Sequence, residues 1–206
     1  MTDGVTGIIL AGGLARRLGH ADKAFVTING RPVLDMVIER LGPQVSQIVV
    51  NANGDAARFS AYGLPVAPDT IDGFAGPLAG VLSGMEWTAE NAPENGWIAT
   101  IAVDTPFFPG DMVASMAQKA RETGADLVCA ASGGRHHPVA GLWPVALAAD
   151  LRRAMLEEDM RKVDLWTARH KLAVCEFPVT GFDPFFNINR PEDIARAESI
   201  AAGEPE

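Results

Sequence analysis

The sequence predicts a three-layer α/β fold, doubly wound around a mostly parallel sheet. Short continuous apolar runs of strand length alternate with stretches whose apolar residues recur at helical spacing. A continuous apolar run is typical of a strand buried on both faces, as in parallel sheets that are covered by helices. The 206 residues contain no linker, repeat or low-complexity segment. We therefore expect one domain over residues 1–206.

The strands and helices can be placed in chain order. The predicted strands are VTGIIL (5–10), SQIVVN (46–51), a short one in LPVAPD (64–69), WIATIAV (97–103), ADLVCAA (125–131), HPVAGLWP (137–144), LAVCEF (172–177) and a short one in FFNIN (185–189). The predicted helices span 32–41, 56–61, 77–90, 111–123, 145–157, 161–170 and the residues from Pro191 onward. Ligands of such sheets bind beyond the carboxyl ends of the strands, which predicts a site after Leu10, Val50, Val66 and Val103.

Composition excludes several classes of function. The chain has 17 basic and 26 acidic residues, a net charge of -9, which argues against a general nucleic-acid surface. Cys129 and Cys175 each lie alone in an apolar stretch, so they predict buried thiols and no zinc or redox motif. No apolar stretch reaches the roughly 18 residues of a membrane helix, and the first residues lack the basic region of a signal peptide. We expect a cytoplasmic monomer with no membrane partner.

A glycine-rich loop follows the first predicted strand. In LAGGLARRLGHADK (10–23), the adjacent glycines Gly12 and Gly13 allow close backbone approach, and exposed N–H groups there can hold phosphate oxygens. Arg16, Arg17 and Lys23 add positive charge to an otherwise acidic chain. The spacing is neither that of a P-loop nor G-x-G-x-x-G. A strand-to-helix turn with a solvated basic face is the alternative interpretation.

Polar residues follow three further strands. Asp104 comes directly after the clearest apolar strand, where a carboxylate either binds a hard cation that bridges phosphate oxygens or caps a turn. Asn51 and Asp69 end the second and third strands, and either bind a ligand or form turns. Asp72 is an alternative to Asp69 for the ligand-binding role. Asn187 either reaches the same cleft or is a local turn amide.

These motifs together resemble a known family. The pattern LAGG-x-x-x-R-x-G-x-x-K, followed in order by VVNAN (49–53), APD (67–69), GPLAG (76–80), DTPF (104–107), HPVAGLW (137–143) and FFNINRPEDI (185–194), resembles nucleotidyltransferases that activate a phosphorylated small molecule. It is most similar to the molybdenum cofactor guanylyltransferases. The resemblance covers nearly the whole chain and implies a Rossmann-like nucleotidyltransferase fold.

The resemblance implies a reaction and its substrates. Such an enzyme transfers GMP from GTP to Mo-molybdopterin and releases pyrophosphate, with Mg²⁺ as cofactor. Residues 1–110 would bind mainly the nucleotide and residues 111–206 mainly the second substrate. Molybdenum-insertion proteins and molybdoenzyme chaperones are implied as further partners.

The resemblance also implies roles for individual residues. Arg17, Lys23 and Asp104 would be catalytic, and Asp104 would also bind the metal. The nucleotide would be bound by Leu10, Ala11, Gly12, Gly13, Lys23, Asn51, Asp69 and Asp104. The segment from Arg135 to Pro138 would line the pterin side of the cleft. The sequence does not decide whether His137 itself belongs to the site.

Other functions remain as alternatives. A molybdopterin cytidylyltransferase typically has LAAG where this chain has LAGG at residues 10–13, and sugar-phosphate nucleotidyltransferases often carry extra substrate-binding segments. A non-catalytic molybdopterin carrier would have no need of Asp104 opposite Lys23. A hydride-transferring Rossmann enzyme is disfavoured because Asn51 stands where an acidic residue would end the second strand.

Overall fold

The computed structural model describes residues 4–12, 14–15, 21–73 and 76–203. The strands in these ranges are β1 (Val5–Leu10), β2 (Leu14–Ala15), β3 (Ala21–Asp22), β4 (Thr27–Ile28), β5 (Arg31–Pro32), β6 (Gln47–Asn51), β7 (Val66–Ala67), β8 (Trp97–Ala102), β9 (Leu127–Ser132), β10 (Arg135–Pro144) and β11 (Leu172–Phe177). The α-helices are α1 (Val33–Leu41), α2 (Pro77–Asn91), α3 (Met112–Thr123), α4 (Ala148–Glu157), α5 (Val163–Thr167) and α6 (Pro191–Ala202).

Seven strands form one sheet in the order β11-β9-β10-β8-β1-β6-β7. All neighbouring pairs are parallel except those of β10, which runs antiparallel to both β8 and β9. The predicted α/β class and mostly parallel sheet are thus confirmed. The four short strands pair locally, β2 with β3 and β4 with β5.

Two apolar layers cover the two faces of the sheet. On one face α1, α3 and α6 contribute buried residues, among them Val37, Met116 and Ala197. On the other face the buried side chains of α2, α4 and α5 pack around Trp143 and Trp166. Burial of these apolar surfaces is the main stabilising contribution to such a fold.

The element predictions hold at most positions. Strand β1 has the predicted bounds, and α1 begins directly after Pro32 and ends at Leu41, as its apolar spacing indicates. The segment 56–62 is a 3-10 helix rather than a regular α-helix. Both cysteines are buried free thiols, as predicted. Among the described residues, no helix combines the length and apolarity needed to cross a membrane.

One element prediction is wrong, and another is too long. FFNIN forms no strand, because the backbone N–H of Ile188 donates to the carbonyl of Asp104 (2.9 Å) and not to a neighbouring strand. The helix predicted over 161–170 is limited to α5, Val163–Thr167. Backbone hydrogen bonds of Arg169 and His170 to Trp166 and Thr167 then close the turn before β11.

Candidate functional site

The predicted loops leave the sheet side by side at one edge. Sheet hydrogen bonding continues one residue past the strands, since the N–H of Ala11 donates to the carbonyl of Asn51 (2.8 Å). The N–H of Val103 likewise donates to the carbonyl of Leu10 (3.1 Å). The residues that follow β1, β6, β7 and β8 are therefore held together, as expected for a doubly wound sheet.

Lys23 and Asp104 form a direct ion pair at this edge. The Nζ atom of Lys23 lies 2.7 Å from Oδ2 of Asp104, and the two side chains are 18% and 14% exposed. The same Nζ donates to Oδ1 of Asn189 at 2.6 Å. Charge-assisted hydrogen bonds of this length are stronger than neutral ones, so the ammonium group is firmly placed. The residues predicted to serve phosphate and metal therefore form one unit.

Asn187 completes this cluster from the C-terminal segment. Its Nδ2 donates to Oδ1 of Asp104 (3.1 Å) and to Oγ1 of Thr105 (2.8 Å). The segment is fixed because the N–H groups of Asn189 and Arg190 both donate to Oδ2 of Asp193 at the start of α6 (2.8 Å each). A sequence-derived alternative for Asn187, a local turn amide, is thus not what the structure shows.

Asn189 is a site residue that sequence reasoning missed. The signal was available in the alternation of Asn187, Ile188 and Asn189, because Ile188 is buried (2% exposed) and its two neighbours project to the other side. Both asparagines reach the Lys23–Asp104 pair. Two polar residues on either side of one buried residue therefore predict that both polar side chains face the same site, even outside a strand.

Asn51 and Asp69 are also brought together. The Nδ2 atom of Asn51 donates to Oδ1 of Asp69 and to the carbonyl of Ala67, both at 3.0 Å. Asn51 is buried, whereas Asp69 is partly exposed and can face a ligand. Asp72, the competitor that the sequence could not exclude, is exposed beyond the turn after Asp69.

Gly80 explains the last glycine of the GPLAG motif. A Cβ at this position would overlap Oδ1 of Asn51 and lie only 2.7 Å from Cδ2 of Leu10. Helix α2 thus needs a glycine to approach the ends of β1 and β6. The motif packs two predicted nucleotide-binding residues against the helix.

We expect Gly80→Ala to destabilise the protein by about 1 to 3 kcal/mol, since overpacking of a close contact costs about that much. It should also weaken nucleotide binding, because Asn51 must move. Thermal unfolding with and without GTP would measure both effects. Gly96→Ala is the matched control, because a Cβ there meets no atom within 4 Å. Equal behaviour of the two variants would contradict this account.

Of the remaining predicted residues, some are placed and others are not. Leu10 ends β1, and the buried Ala11 continues its hydrogen bonding one residue further. Gly12 is exposed, and a Cβ there would meet no atom within 4 Å, so space inside the protein does not require this glycine. The predictions for Gly13 and Arg17 fall outside the described residues.

A cleft of about 280 Å³ opens beside Asp104. Its walls are formed by the end of β8 and the residues that follow, the start of β10, and the C-terminal segment. The lining residues are Ile101, Ala102, Asp104, Thr105, Arg135, His136, His137, Pro138, Val139, Ala140, Phe185 and Asn187. The segment predicted to line the second-substrate side therefore shares a cleft with the predicted metal ligand. A larger groove, of about 770 Å³, is lined by Val5, Trp97 and one side of α3, away from this cluster.

His137 forms a wall of the smaller cleft. Its ring stacks on Phe185 with centroids 4.6 Å apart, and its Nε2 lies 2.7 Å from Oγ of Ser132. Burial lowers the pKa of His137 below its ordinary value of 6.5, although the carboxylate of Asp183 acts in the opposite direction. Burial therefore favours the neutral form of the imidazole.

Ser132, His137 and Asp183 do not form a nucleophilic triad. The hydroxyl of Ser132 donates to Oδ1 of Asp183 at 2.6 Å, so its single hydrogen is already used. His137 must then donate from Nε2 to the hydroxyl oxygen, which is the reverse of a general base. This network joins β9, β10 and the C-terminal segment, and its role is structural.

The residues at Asp104 fit a metal that arrives with its own ligands. Among the described residues, no group of three or more His, Cys, Asp or Glu side chains is arranged to hold a metal ion. Asp104 supplies one carboxylate, whose oxygens accept from the Lys23 ammonium and the Asn187 amide and would be shared with the ion. Mg²⁺ is commonly bound by one or two carboxylates plus substrate phosphates and water. A metal–nucleotide complex fits this donor set.

The doubly wound sheet, the lysine–aspartate pair at its carboxyl edge and the matching domain model together define a nucleotidyltransferase. The chain belongs to the MobA-like NTP transferase family, whose domain model matches residues 7–171. It is 53% identical over 194 residues to a molybdenum cofactor guanylyltransferase of Rhodopseudomonas palustris, covering 94% of this chain and 92% of that protein.

Solved structures show the same fold. A molybdopterin-guanine dinucleotide biosynthesis protein A from Archaeoglobus fulgidus superposes with a TM-score of 0.75 at 25% identity, covering 96% of this chain and 99% of that one. A CMP:2-keto-3-deoxy-manno-octonic acid synthetase complexed with CTP gives 0.72 at 12% identity over 98% and 99% of the two chains.

Proposed function

We propose that this nucleotidyltransferase transfers the GMP moiety of GTP to molybdopterin, forming the guanine dinucleotide of the cofactor and pyrophosphate. Three relatives that this chain matches over nearly their full length are named molybdenum cofactor guanylyltransferase. The observation that carries the proposal is that Asp104, which is paired with Lys23, also lines the cleft beside the end of β8 and the start of β10. In this proposal, the phosphate groups of the nucleotide and of molybdopterin meet beside Asp104.

The reaction is a direct in-line displacement. A terminal phosphate oxygen of molybdopterin attacks the α-phosphorus of GTP, a new P–O bond forms, and the bond to the departing pyrophosphate breaks. No protein nucleophile is needed. Because two anions must meet, the protein contributes mainly positioning and charge neutralisation.

Lys23 serves the triphosphate in this proposal. Its ammonium group is compact and carries three donors, of which two already point to Asp104 and Asn189. Phosphate oxygens of the bound nucleotide would replace or share these contacts. The backbone at Gly12, two residues after β1, is exposed and open to a ligand. Gly13 and Arg17 belong to the same proposal.

Asp104 would hold the metal. Nucleotidyltransferases typically use a divalent metal, and Mg²⁺ is the ion that this donor set fits best. When bound, Mg²⁺ acts as a Lewis acid on phosphate oxygens. Asn187 and Thr105 orient the carboxylate of Asp104 from the other side.

Asp69 would recognise the base. Guanine presents the N1–H and N2–H₂ donors, so its pocket must offer acceptors, and a carboxylate offers two oxygens. Asn51 holds this carboxylate from the buried side (3.0 Å). Adenine and cytosine present a ring-nitrogen acceptor in the corresponding position, which a carboxylate repels.

The second substrate would occupy the cleft beside Asp104. Arg135 lines this cleft and is exposed, so it can pair with a phosphate of that substrate. Residues 1–110 would then bind mainly the nucleotide and residues 111–206 mainly molybdopterin. Asn189 is an exception, since it contacts Lys23.

The nucleotide preference tests the proposal directly. At about one hundred times its Kd, GTP with Mg²⁺ should add about 2.7 kcal/mol to the free energy of unfolding. For a chain of this size that is a rise in Tm of about 5 to 10 °C. CTP, ATP and UTP at the same concentration serve as controls and should give smaller shifts. A larger shift with CTP would favour the cytidylyl alternative and contradict guanylyl transfer.

A further inference from the structure

The carboxylate of Asp69 is held from two sides. Asn51 donates to Oδ1, and the Nδ2 atom of Asn53 donates to Oδ2 at 2.8 Å. The backbone N–H of Asp69 in turn donates to Oδ1 of Asn53 at 2.8 Å. Asn53 and Asp69 therefore form a closed ring of two hydrogen bonds. Neither Asn53 nor this ring was anticipated from the sequence.

The ring fixes which way the amide of Asn53 points. A backbone N–H can only donate, so the atom of Asn53 that it meets must be the oxygen. The nitrogen of the amide then necessarily faces the carboxylate. With Asn51 and Asn53 each using one lone-pair position, both carboxylate oxygens keep capacity to accept from a ligand.

Arg58 holds the backbone of Asn53. Its Nη2 donates to the carbonyl of Asn53 at 2.9 Å, and its Nε lies 2.9 Å from Oδ2 of Asp22. Asp22 immediately precedes Lys23, and its other oxygen accepts from the N–H of Ala24 at 3.1 Å. A continuous set of contacts thus links the lysine turn to Asp69.

We propose that Asn53 is a positioning residue that sets the preference for guanine by orienting the carboxylate of Asp69. This rests on the proposed function, in which Asp69 accepts from the base. A freely rotating carboxylate would accept from a base with one donor as readily as from a base with two, so it would not favour guanine. A carboxylate held in one plane by two amides presents both oxygens at once, as the adjacent N1–H and N2–H₂ of guanine require. Preorganisation of this kind removes an ordering cost from binding.

The test compares GTP with ITP, which lacks only the 2-amino group. Asn53→Ala should raise KM for GTP about tenfold, since hydrogen bonds to charged groups contribute about that factor. It should leave kcat within about twofold and change KM for ITP much less, because ITP already lacks one of the two donors. Asn53 is exposed, so Tm should hardly change. Asn91→Ala, another exposed asparagine with a single side-chain bond to a carbonyl, is the matched control.

Asp69→Asn separates this inference from the proposed function. If Asp69→Asn abolishes the preference for GTP over ITP and Asn53→Ala leaves it intact, the positioning role is refuted while the proposed function stands. If Asp69→Asn leaves the preference unchanged, the proposed role of Asp69 fails first. Equal losses for GTP and ITP in Asn53→Ala, or a parallel fall in kcat, would show a merely structural role and overturn the inference.

Discussion

Asp104→Asn should lower turnover by about three orders of magnitude, which corresponds to about 4 kcal/mol of transition-state stabilisation. The variant keeps the shape of the side chain and an oxygen for Asn187, but it removes the charge that a divalent metal requires. The backbone contact from Ile188 to the carbonyl of Asp104 is unaffected, so the fold should persist. Pyrophosphate release with GTP and Mg²⁺ measures the loss.

The control for this result is Asp164→Asn, which changes an exposed aspartate on α5. Circular dichroism and Tm of both variants should resemble those of the original protein. Retention of more than about a tenth of the activity by Asp104→Asn would refute the metal-binding role, because a lost charged ligand costs more than that.

Lys23→Met should reduce kcat/KM by about a hundredfold, or about 2.7 kcal/mol. The substitution keeps much of the apolar stem but removes the ammonium group that bonds to Asp104 and Asn189. The triphosphate would then meet the negative charge of Asp104 with no lysine beside it. Steady-state kinetics at saturating molybdopterin would measure the change, and Lys162→Met, at an exposed position before α5, provides the control.

A double-mutant cycle shows whether the pair works as one unit. If Lys23 and Asp104 act together, Lys23→Met in the Asp104→Asn background should cost much less than it does alone. Fully additive losses would mean that the ion pair is not coupled in the reaction. Full activity of Lys23→Met would contradict its assignment to the triphosphate.

Most of the fold could be predicted because burial on both faces leaves a clear mark on the sequence. Strands β1 and β8 are continuous apolar runs, and Pro191 marks the start of α6. The reversed direction of β10 is not given by its apolar pattern, which does not depend on strand direction. A signal did exist in Gly133 and Gly134, which join β9 to β10 with φ of 55° and 75°. Two such residues between strands are typical of a tight hairpin.

The site was predictable only in part. Lys23 and Asp104 could be placed because strand ends and glycine turns are visible in the sequence. Their direct contact, and the pairing of Asn53 with Asp69, depend on side-chain positions that no periodicity specifies. Arg58 was not anticipated for the same reason, since it lies on a short 3-10 helix whose sequence carries no motif.

The reversed direction of β10 determines how the two walls of the cleft are joined. Gly141 pairs with Thr100, so the residues that precede Gly141 lie beside those that follow Thr100. A parallel strand in this place would present its opposite end to Asp104. The hydrogen-bonded pairing of β8 and β10 ends at Thr100 and Gly141, so the cleft beside Asp104 opens where the two strands no longer pair.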